Sequence, residues 1–429
     1  MLTVYIFVVL IFLLIINVPV VVAIGATAVS FFIFLGESRF LAMFPHRMYY
    51  GTTGFTLLAI PFFIFAGNLM NVGGITERIF RFAKALVGHV PGGLGQVNIV
   101  ASVIFSGMSG SAVADAAGLG QIEHKAMVDD GYDPAVSATL VAASSIIGPV
   151  IPPSIPFVLF GAITSVSVAR LFMAGFIPGI MLAIGMMVSL AYLAKKRGYP
   201  QSPHMAPMSE LWNSFIGAFF PLMAPVIIIG GIMTGLFTPT EASVVVCVYA
   251  ILLGFCYREL RLRDLPPIIW KSVGQSSSLL FIMAAANFFG YFVILKKVPD
   301  QIISTLMGLG ASTSAVLWII IGIVLILGCF LEGNAIFLIT LPIFMPICTR
   351  YGIDLVNFGV VMTLLIMIGN LTPPVGMCLF AVDSFARVGI PALTKQVWPY
   401  LLVIFIVTVI IAFVPAIATW LPNLMMGDM

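Results

Sequence analysis

An all-α, polytopic membrane protein of two inverted-topology repeats is the fold class this sequence predicts, and three observations carry the expectation. The 429 residues are 61% hydrophobic and only 8% charged, too few charges for a soluble globular chain of this length. Apolar stretches long enough to cross a hydrocarbon core recur from end to end. Two of those stretches are interrupted alike by a double proline, IGPVIPPSIP at 147–156 and IGNLTPPVGM at 368–377.

In chain order, spans are expected near 1–16, 18–35, 53–71, 135–165 (broken), 171–194, 214–232, 239–257, 273–295, 355–387 (broken) and 396–420. The first apolar stretch, MLTVYIFVVLIFLLIINV, lacks a basic start and a small-residue cleavage site, so it reads as a retained span rather than a signal peptide. The short alternating segments of a membrane β-barrel are absent. Stretches 97–125 and 313–348 are each too long for one span and are interrupted by small residues. They read as re-entrant helical hairpins, the first turning at Ser109-Gly110-Ser111 and the second at Glu332-Gly333-Asn334. An arm of about twelve residues rises ~18 Å, roughly midway across a core of ~30 Å. ITERIFRFAKAL at 75–86 is basic and amphipathic, suited to an interfacial helix bracing the first hairpin, and 299–309 is its less charged counterpart.

Placing the N-terminus outside puts the clusters KKR at 195–197 and RELRLR at 258–263 on the inside, as the positive-inside rule requires. The two halves match at a nearly constant offset. Pro152-Pro153 aligns with Pro373-Pro374, SGS at 109–111 with EGN at 332–334, and FAGN at 65–68 with AAAN at 284–287. These matches define a first repeat at 1–195 (hairpin 97–125, broken helix 135–165), a cytoplasmic linker at 196–211, and a second repeat at 212–421 (hairpin 313–348, broken helix 355–387). Each unit has an odd number of full crossings, so the second is inverted with respect to the first.

Proline has no N–H, so the carbonyl four residues earlier loses its donor. Irregular backbone at mid-depth persists only where it lines a cavity or is buried in protein. Freed carbonyls together with Ser, Thr and Asn oxygens make an oxygen-only site suited to Na⁺. One Na⁺ is expected at the first break, among Ser106, Ser109, Gly110, Ser111, Gly148, Pro149, Val150 and Pro152. Its mate is expected at the second, among Glu332, Gly333, Asn334, Gly369, Asn370 and Thr372. Helices leaving the tips point their N-termini at the midplane and favour an anionic substrate there, with Ser111, Ser154, Asn334 and Gly376 as its contacts. The plain alternative is that small residues and prolines serve only helix packing.

Other charges have simpler expectations. Glu332 suits a cation ligand or proton carrier, and Asp115 an electrostatic cap of the returning helix. Asp383 and Arg387 are spaced for a helical salt bridge, and Glu241 in TPTEA for a first-turn cap. Arg47, Lys296 and Lys297, on the expected outer face, suit guidance of an anion, contact with a partner, or snorkelling anchorage. No organic cofactor is implied. There is no Walker motif, the five cysteines lack CxxC spacing and read as packing residues, and the four histidines form no ligand cluster. A net charge of +3 suggests no nucleic-acid role, and nothing marks an enzyme.

SGSAVAD, GPVIPPS, EGNA and GNLTPPVG together resemble the large membrane subunit of TRAP (tripartite ATP-independent periplasmic) transporters, across essentially the whole chain and most closely in the sialic acid branch. The resemblance implies Na⁺-coupled, elevator-type uptake of a carboxylate, a sialic acid or a C4-dicarboxylate, across the bacterial inner membrane. It implies a small four-helix membrane subunit, expected as a separate chain, and a soluble periplasmic substrate-binding protein as partners in the lipid bilayer. The family's ion-binding elements carry over to Ser109, Gly110, Ser111, Gly148 to Pro152, Gly333, Asn334 and Gly369 to Thr372. Rival readings are a stand-alone divalent-anion/Na⁺ symporter, an ion channel or pump subunit, and a receptor or scaffold without transport.

Overall fold

The fold is that of a computed structural model describing residues 2–16, 18–201 and 204–427, so positions 202 and 203 of the expected linker lie outside the described residues. Two helices open the chain, α1 (Leu2–Ile15) and α2 (Val20–Phe34), followed by short α3 (Met43–Tyr50), α4 (Ala59–Val72) and amphipathic α5 (Ile75–Val87). The arm α6 (Gly93–Ser109) runs to a tip and returns as α7 (Ala112–Ala117) and α8 (Leu119–Asp129). A broken helix, α9 (Pro134–Ser145) and α10 (Ile155–Thr164), leads into α11 (Val168–Arg197). A similar order then recurs: α12 (Met208–Met233), α13 (Pro239–Cys256), α14 (Leu265–Leu295) and α15 (Val298–Gly308) precede the hairpin α16 (Thr313–Gly328) and α17 (Gly333–Arg350). The broken pair α18 (Leu355–Leu371) and α19 (Met377–Ala386) follows, then α20 (Ile390–Phe413) and α21 (Ala416–Met426). Among the described residues there is no strand.

Local chemistry sets these boundaries. Asp133 caps α9 by accepting from the N–H groups of Ala135 at 2.9 Å and Val136 at 3.1 Å, with Pro134 at the first helical position where its missing donor costs nothing. Thr238 and Glu241 form a reciprocal capping box at α13, as TPTEA suggests. Gly198, at φ +69°, ends α11 just after Lys195-Lys196-Arg197, whose charges complement the helix dipole.

Seven helical stretches are long and apolar enough to cross a membrane, while α6, α9, α10, α16, α18 and α19 are shorter apolar pieces. Of these, α9 and α18 sit inside, while α16 and α19 keep an exposed face. Every residue from Val356 to Leu371 in α18 is buried, as is every residue from Val136 to Ser145 in α9. A helix apolar all round belongs in the interior of a bundle. By contrast α12 turns Trp212, Ile216, Phe220 and Val226 outward. The packing is reciprocal between the halves: α4 lies on α13 and α14 on α2, while α9 meets α20 and α18 meets α11. Phenylalanines close the α2–α14 seam, with the rings of Phe31 and Phe292 4.5 Å apart.

Several expectations need correction. The last span is two helices, because Pro415 cannot donate in the ladder and α20 stops at Phe413. The first hairpin begins at Gly93 and extends to Asp129, and its return arm breaks at Gly118, where an added Cβ would meet the Asn71 side chain at 2.8 Å. His124, expected in a loop from the sequence, lies within α8, its ring 3.0 Å from the Ser137 hydroxyl. The Asp383–Arg387 bridge does not form. Arg387 adopts φ +53° beyond the end of α19 and leaves the helical face, and Asp383 accepts from the Gly389 N–H at 2.7 Å instead. Lys296 is engaged by Glu37 at 2.6 Å.

Candidate functional site

The two hairpin tips and the two helix breaks converge on one cavity of about 410 Å³. Ser109, Gly110, Ser111 and Pro149 line it from the first half, and Glu332, Gly333, Asn334 and Asn370 from the second. Eight of the expected site residues therefore share one space, although the two triplets SGS and EGN lie more than two hundred residues apart in sequence.

At the first tip, α6 ends at Ser109 and the chain turns through Gly110 in the left-handed region, φ +63°. Only glycine enters that region at no steric cost, and here an added Cβ would also stand 2.6 Å from the Pro153 carbonyl. Ser111 caps α7. The tip docks on the first break through the Ile155 N–H, which donates to the Gly110 carbonyl at 3.4 Å. With no backbone donor bonded at its C-cap, α6 leaves its last carbonyls, Ser106 among them, at the negative end of the helix dipole. The Ser109 hydroxyl donates to the Asp115 carboxylate, whose other oxygen is buried without a donor and abuts Gly148. Oxygen donors of this kind fit a small hard cation, and the second Asp115 oxygen is the one left without a partner.

The second tip differs from the expectation in register. The turn is Cys329–Leu331, and Glu332 is the N-cap of α17, so Gly333 and Asn334 are helical. The Glu332 carboxylate accepts from Asn334 Nδ2 at 2.5 Å and from the Ala335 N–H at 3.3 Å. The tip docks on the second break through the Val375 N–H, which donates to the Cys329 carbonyl at 3.2 Å. Gly369 and Gly328 touch backbone to backbone, with an added Cβ on Gly369 only 2.8 Å from the Gly328 Cα.

Some expected residues stand elsewhere. Ser154 is fully buried behind the first break and donates to the Pro149 carbonyl, so it does not reach the cavity. The Val150 carbonyl packs on Gly175 of α11 rather than facing the tip. The Thr372 hydroxyl donates to the Ile368 carbonyl at 2.7 Å. Gly148, Pro152, Gly369 and Gly376 shape the breaks without lining the cavity, which Met377 does instead. The sequence reading missed Asn68, Gln275 and Ser278, which complete the polar wall from α4 and α14. Asn68 Nδ2 donates to Ser272 Oγ at 2.9 Å and Gln275 Oε1 at 2.8 Å, tying those helices together. Their signal was visible as polar residues inside long apolar stretches.

Broken helices and hairpin tips around one oxygen-lined cavity, in a bundle of apolar spans, define a multi-pass membrane transport protein. A family profile described as "Tripartite ATP-independent periplasmic transporter, DctM component" matches residues 7–417, and the chain belongs to that family. It is 44% identical over 380 residues to the sialic acid TRAP transporter permease protein SiaT of Haemophilus influenzae, spanning 88% of this chain and 62% of that relative's length. It is 43% identical over 397 residues to the sialic acid TRAP transporter large permease protein SiaM of Vibrio cholerae, covering 92% of this chain and 93% of the relative. It is 35% identical over 435 residues to the C4-dicarboxylate TRAP transporter large permease protein DctM of Rhodobacter capsulatus, covering 98% of each.

Proposed function

We propose that this protein is the large permease of a Na⁺-coupled carboxylate uptake system in a bacterial inner membrane, with a sialic acid favoured and a C4-dicarboxylate the alternative. The observation that carries the reading is the meeting of both tips and both breaks at one cavity of about 410 Å³, a volume suited to a small organic solute. The open α6 carbonyls, Ser109 and Asp115 would hold one Na⁺. Asn334 and Asn370 would contribute to a second, beside a substrate contacted by Ser111 and Asn334. The recurring element order and reciprocal packing support two inverted repeats, 1–195 and 212–421, and the basic clusters at 195–197 and 258–263 support an N-terminus outside. Ion binding orders the tips and completes the substrate site, and coupling follows because only the fully loaded state favours translocation. The hairpins and broken helices then move as one body against α2, α4, α13 and α14. A small four-helix subunit seats on the apolar outer face, and a periplasmic binding protein delivers substrate.

The test is uptake into proteoliposomes holding all three components. Uptake of N-acetylneuraminate or succinate that requires both a Na⁺ gradient and the binding protein is expected. Undiminished uptake without Na⁺ removes the coupling ion, and indifference to the binding protein favours a stand-alone symporter. Non-saturating flux favours a channel.

A further inference from the structure

A second cavity, of about 690 Å³, lies at the end of the bundle where α3 abuts the C-terminal half of α14. We propose that it is an entry site where a carboxylate is held before it reaches the cavity between the tips, with the Arg47 guanidinium as its charge. The inference rests on the uptake reading and on the orientation proposed with it.

Among the described residues Arg47 is the cation of this cavity, and no acidic side chain lines it. Its guanidinium lies over the Tyr291 ring, 4.1 Å from the centroid, and its Nε is buried with no acceptor. Among the described residues it has no ion pair, whereas the nearby Lys296 is already engaged by Glu37. Stacking on an aromatic face holds the guanidinium plane and leaves its in-plane N–H fork open, the geometry that meets a carboxylate in bidentate fashion. Burying the Nε donor without an acceptor is costly, and a carboxylate drawn to the half-buried guanidinium would supply one.

The position of the cavity makes it a stop on a route. One stripe of α14 lines both spaces: Gln275, Leu279 and Ile282 face the cavity between the tips, while Ala286, Gly290 and Ile294 face the outer one. Those steps of three and four residues keep to a single helical face. The arm α17 does the same, with Asn334 at the first cavity and Leu338 at the second. From Ser278 to Asn287 the climb along α14 is about 13 Å. Between the helices the seam is tight, Pro342 standing 3.0 Å from where a Cβ on Gly290 would be. A carboxylate at Arg47 therefore sits on the same α14–α17 seam as the inner cavity, with α17 in the proposed moving body and α14 in the proposed fixed one.

The test uses Thr164→Cys, on the outer cavity wall, in a Cys256→Ser, Cys329→Ser background, in nanodiscs of zwitterionic lipid. Modification rates by an anionic sulfonatoethyl and a cationic trimethylammonioethyl methanethiosulfonate are compared. With Arg47 present the anionic reagent should be favoured about 10-fold over its ratio in Arg47→Ala. Arg47→Lys should keep most of the preference, and Arg47→Gln, which preserves bulk, should lose it. N-acetylneuraminate or succinate should slow labelling when Arg47 is present and not in Arg47→Gln. An unchanged charge ratio in both neutral variants overturns the proposal. So does protection that appears only when anionic lipid is added, since the occupant is then a headgroup phosphate. Labelling needs no transport. If the reconstituted three-part system moves no carboxylate while labelling behaves as expected, the uptake reading fails and the anion site stands.

Discussion

The two hairpin tips border the same cavity yet use their oxygens in opposite ways. At the first tip, a glycine in the left-handed region ends α6 with its last carbonyls open, and the carboxylate of Asp115 sits a turn further on, one oxygen on Ser109 and the other without a donor. At the second tip the carboxylate comes before the helix. Glu332 is itself the cap of α17, both of its oxygens accept hydrogen bonds, and the turn carbonyl of Cys329 is held by Val375. Both turn carbonyls, of Gly110 and Cys329, are docked on their breaks, so the difference lies in the carboxylates: one keeps an oxygen without a donor and the other is a closed structural cap. On the proposed reading, the first tip is the stronger cation site and the second the weaker.

The largest expected effect follows from that asymmetry. Asp115→Asn keeps shape and the capacity to accept from Ser109 but removes the charge, so apparent Na⁺ affinity should fall by ~2 kcal/mol, roughly 30-fold. It would be read as the Na⁺ dependence of thermal unfolding in detergent, where a bound ion stabilises by mass action. Glu332→Gln should move the same curve by less than about 3-fold, because its partners are backbone and amide donors. Equal losses in the two variants would erase the distinction between the tips.

Packing gives the next effect. Gly369 and Gly328 allow the second break and second tip to touch backbone to backbone. Gly369→Ala should destabilise the protein by about 1–3 kcal/mol through overpacking, seen as a lower unfolding temperature with or without Na⁺. Gly110→Ala should add about 1–2 kcal/mol of backbone strain at the first tip and, unlike Gly369→Ala, should also weaken Na⁺ binding, since it forces the tip away from Pro153. If Gly369→Ala lost Na⁺ response in the same proportion, both tips would be ion sites of equal standing.

These contrasts also mark what the sequence made legible. The double prolines announced both breaks because two adjacent residues without donors interrupt the ladder in mid-stretch, whereas spaced prolines such as Pro342 and Pro346 stay inside α17. The first tip was legible because SGS combines a glycine turn with an N-capping serine. The second was misplaced by one turn: Cys329, Phe330 and Leu331 are apolar and read as helix, whereas GN reads as a turn until Glu332 is seen to cap it. The break at Gly118 depends on Asn71, distant in sequence, and nothing local separates that glycine from one inside a helix. Asn68, Gln275 and Ser278 were visible as polar residues in apolar stretches, but their convergence depends on α4 packing against α14. Arg387 illustrates the limit of spacing rules, which hold only while the helix continues.

The smallest effect tests the role of Glu332 most directly. If the carboxylate is a cap, Glu332→Ala should cost about 1 kcal/mol of stability, the usual loss when a capping acceptor is removed. Glu332→Asp, a still better capping residue, should recover most of it. Both should leave the Na⁺ dependence of unfolding nearly unchanged, because the open α6 carbonyls and Asp115 belong to the other tip. A cation ligand behaves otherwise: shortening the side chain by one methylene withdraws the charge, so Glu332→Asp would lose Na⁺ affinity while keeping stability. Unfolding curves of the two variants across a Na⁺ titration separate these outcomes, and a pronounced loss of Na⁺ response in Glu332→Asp would make the second tip as much an ion site as the first.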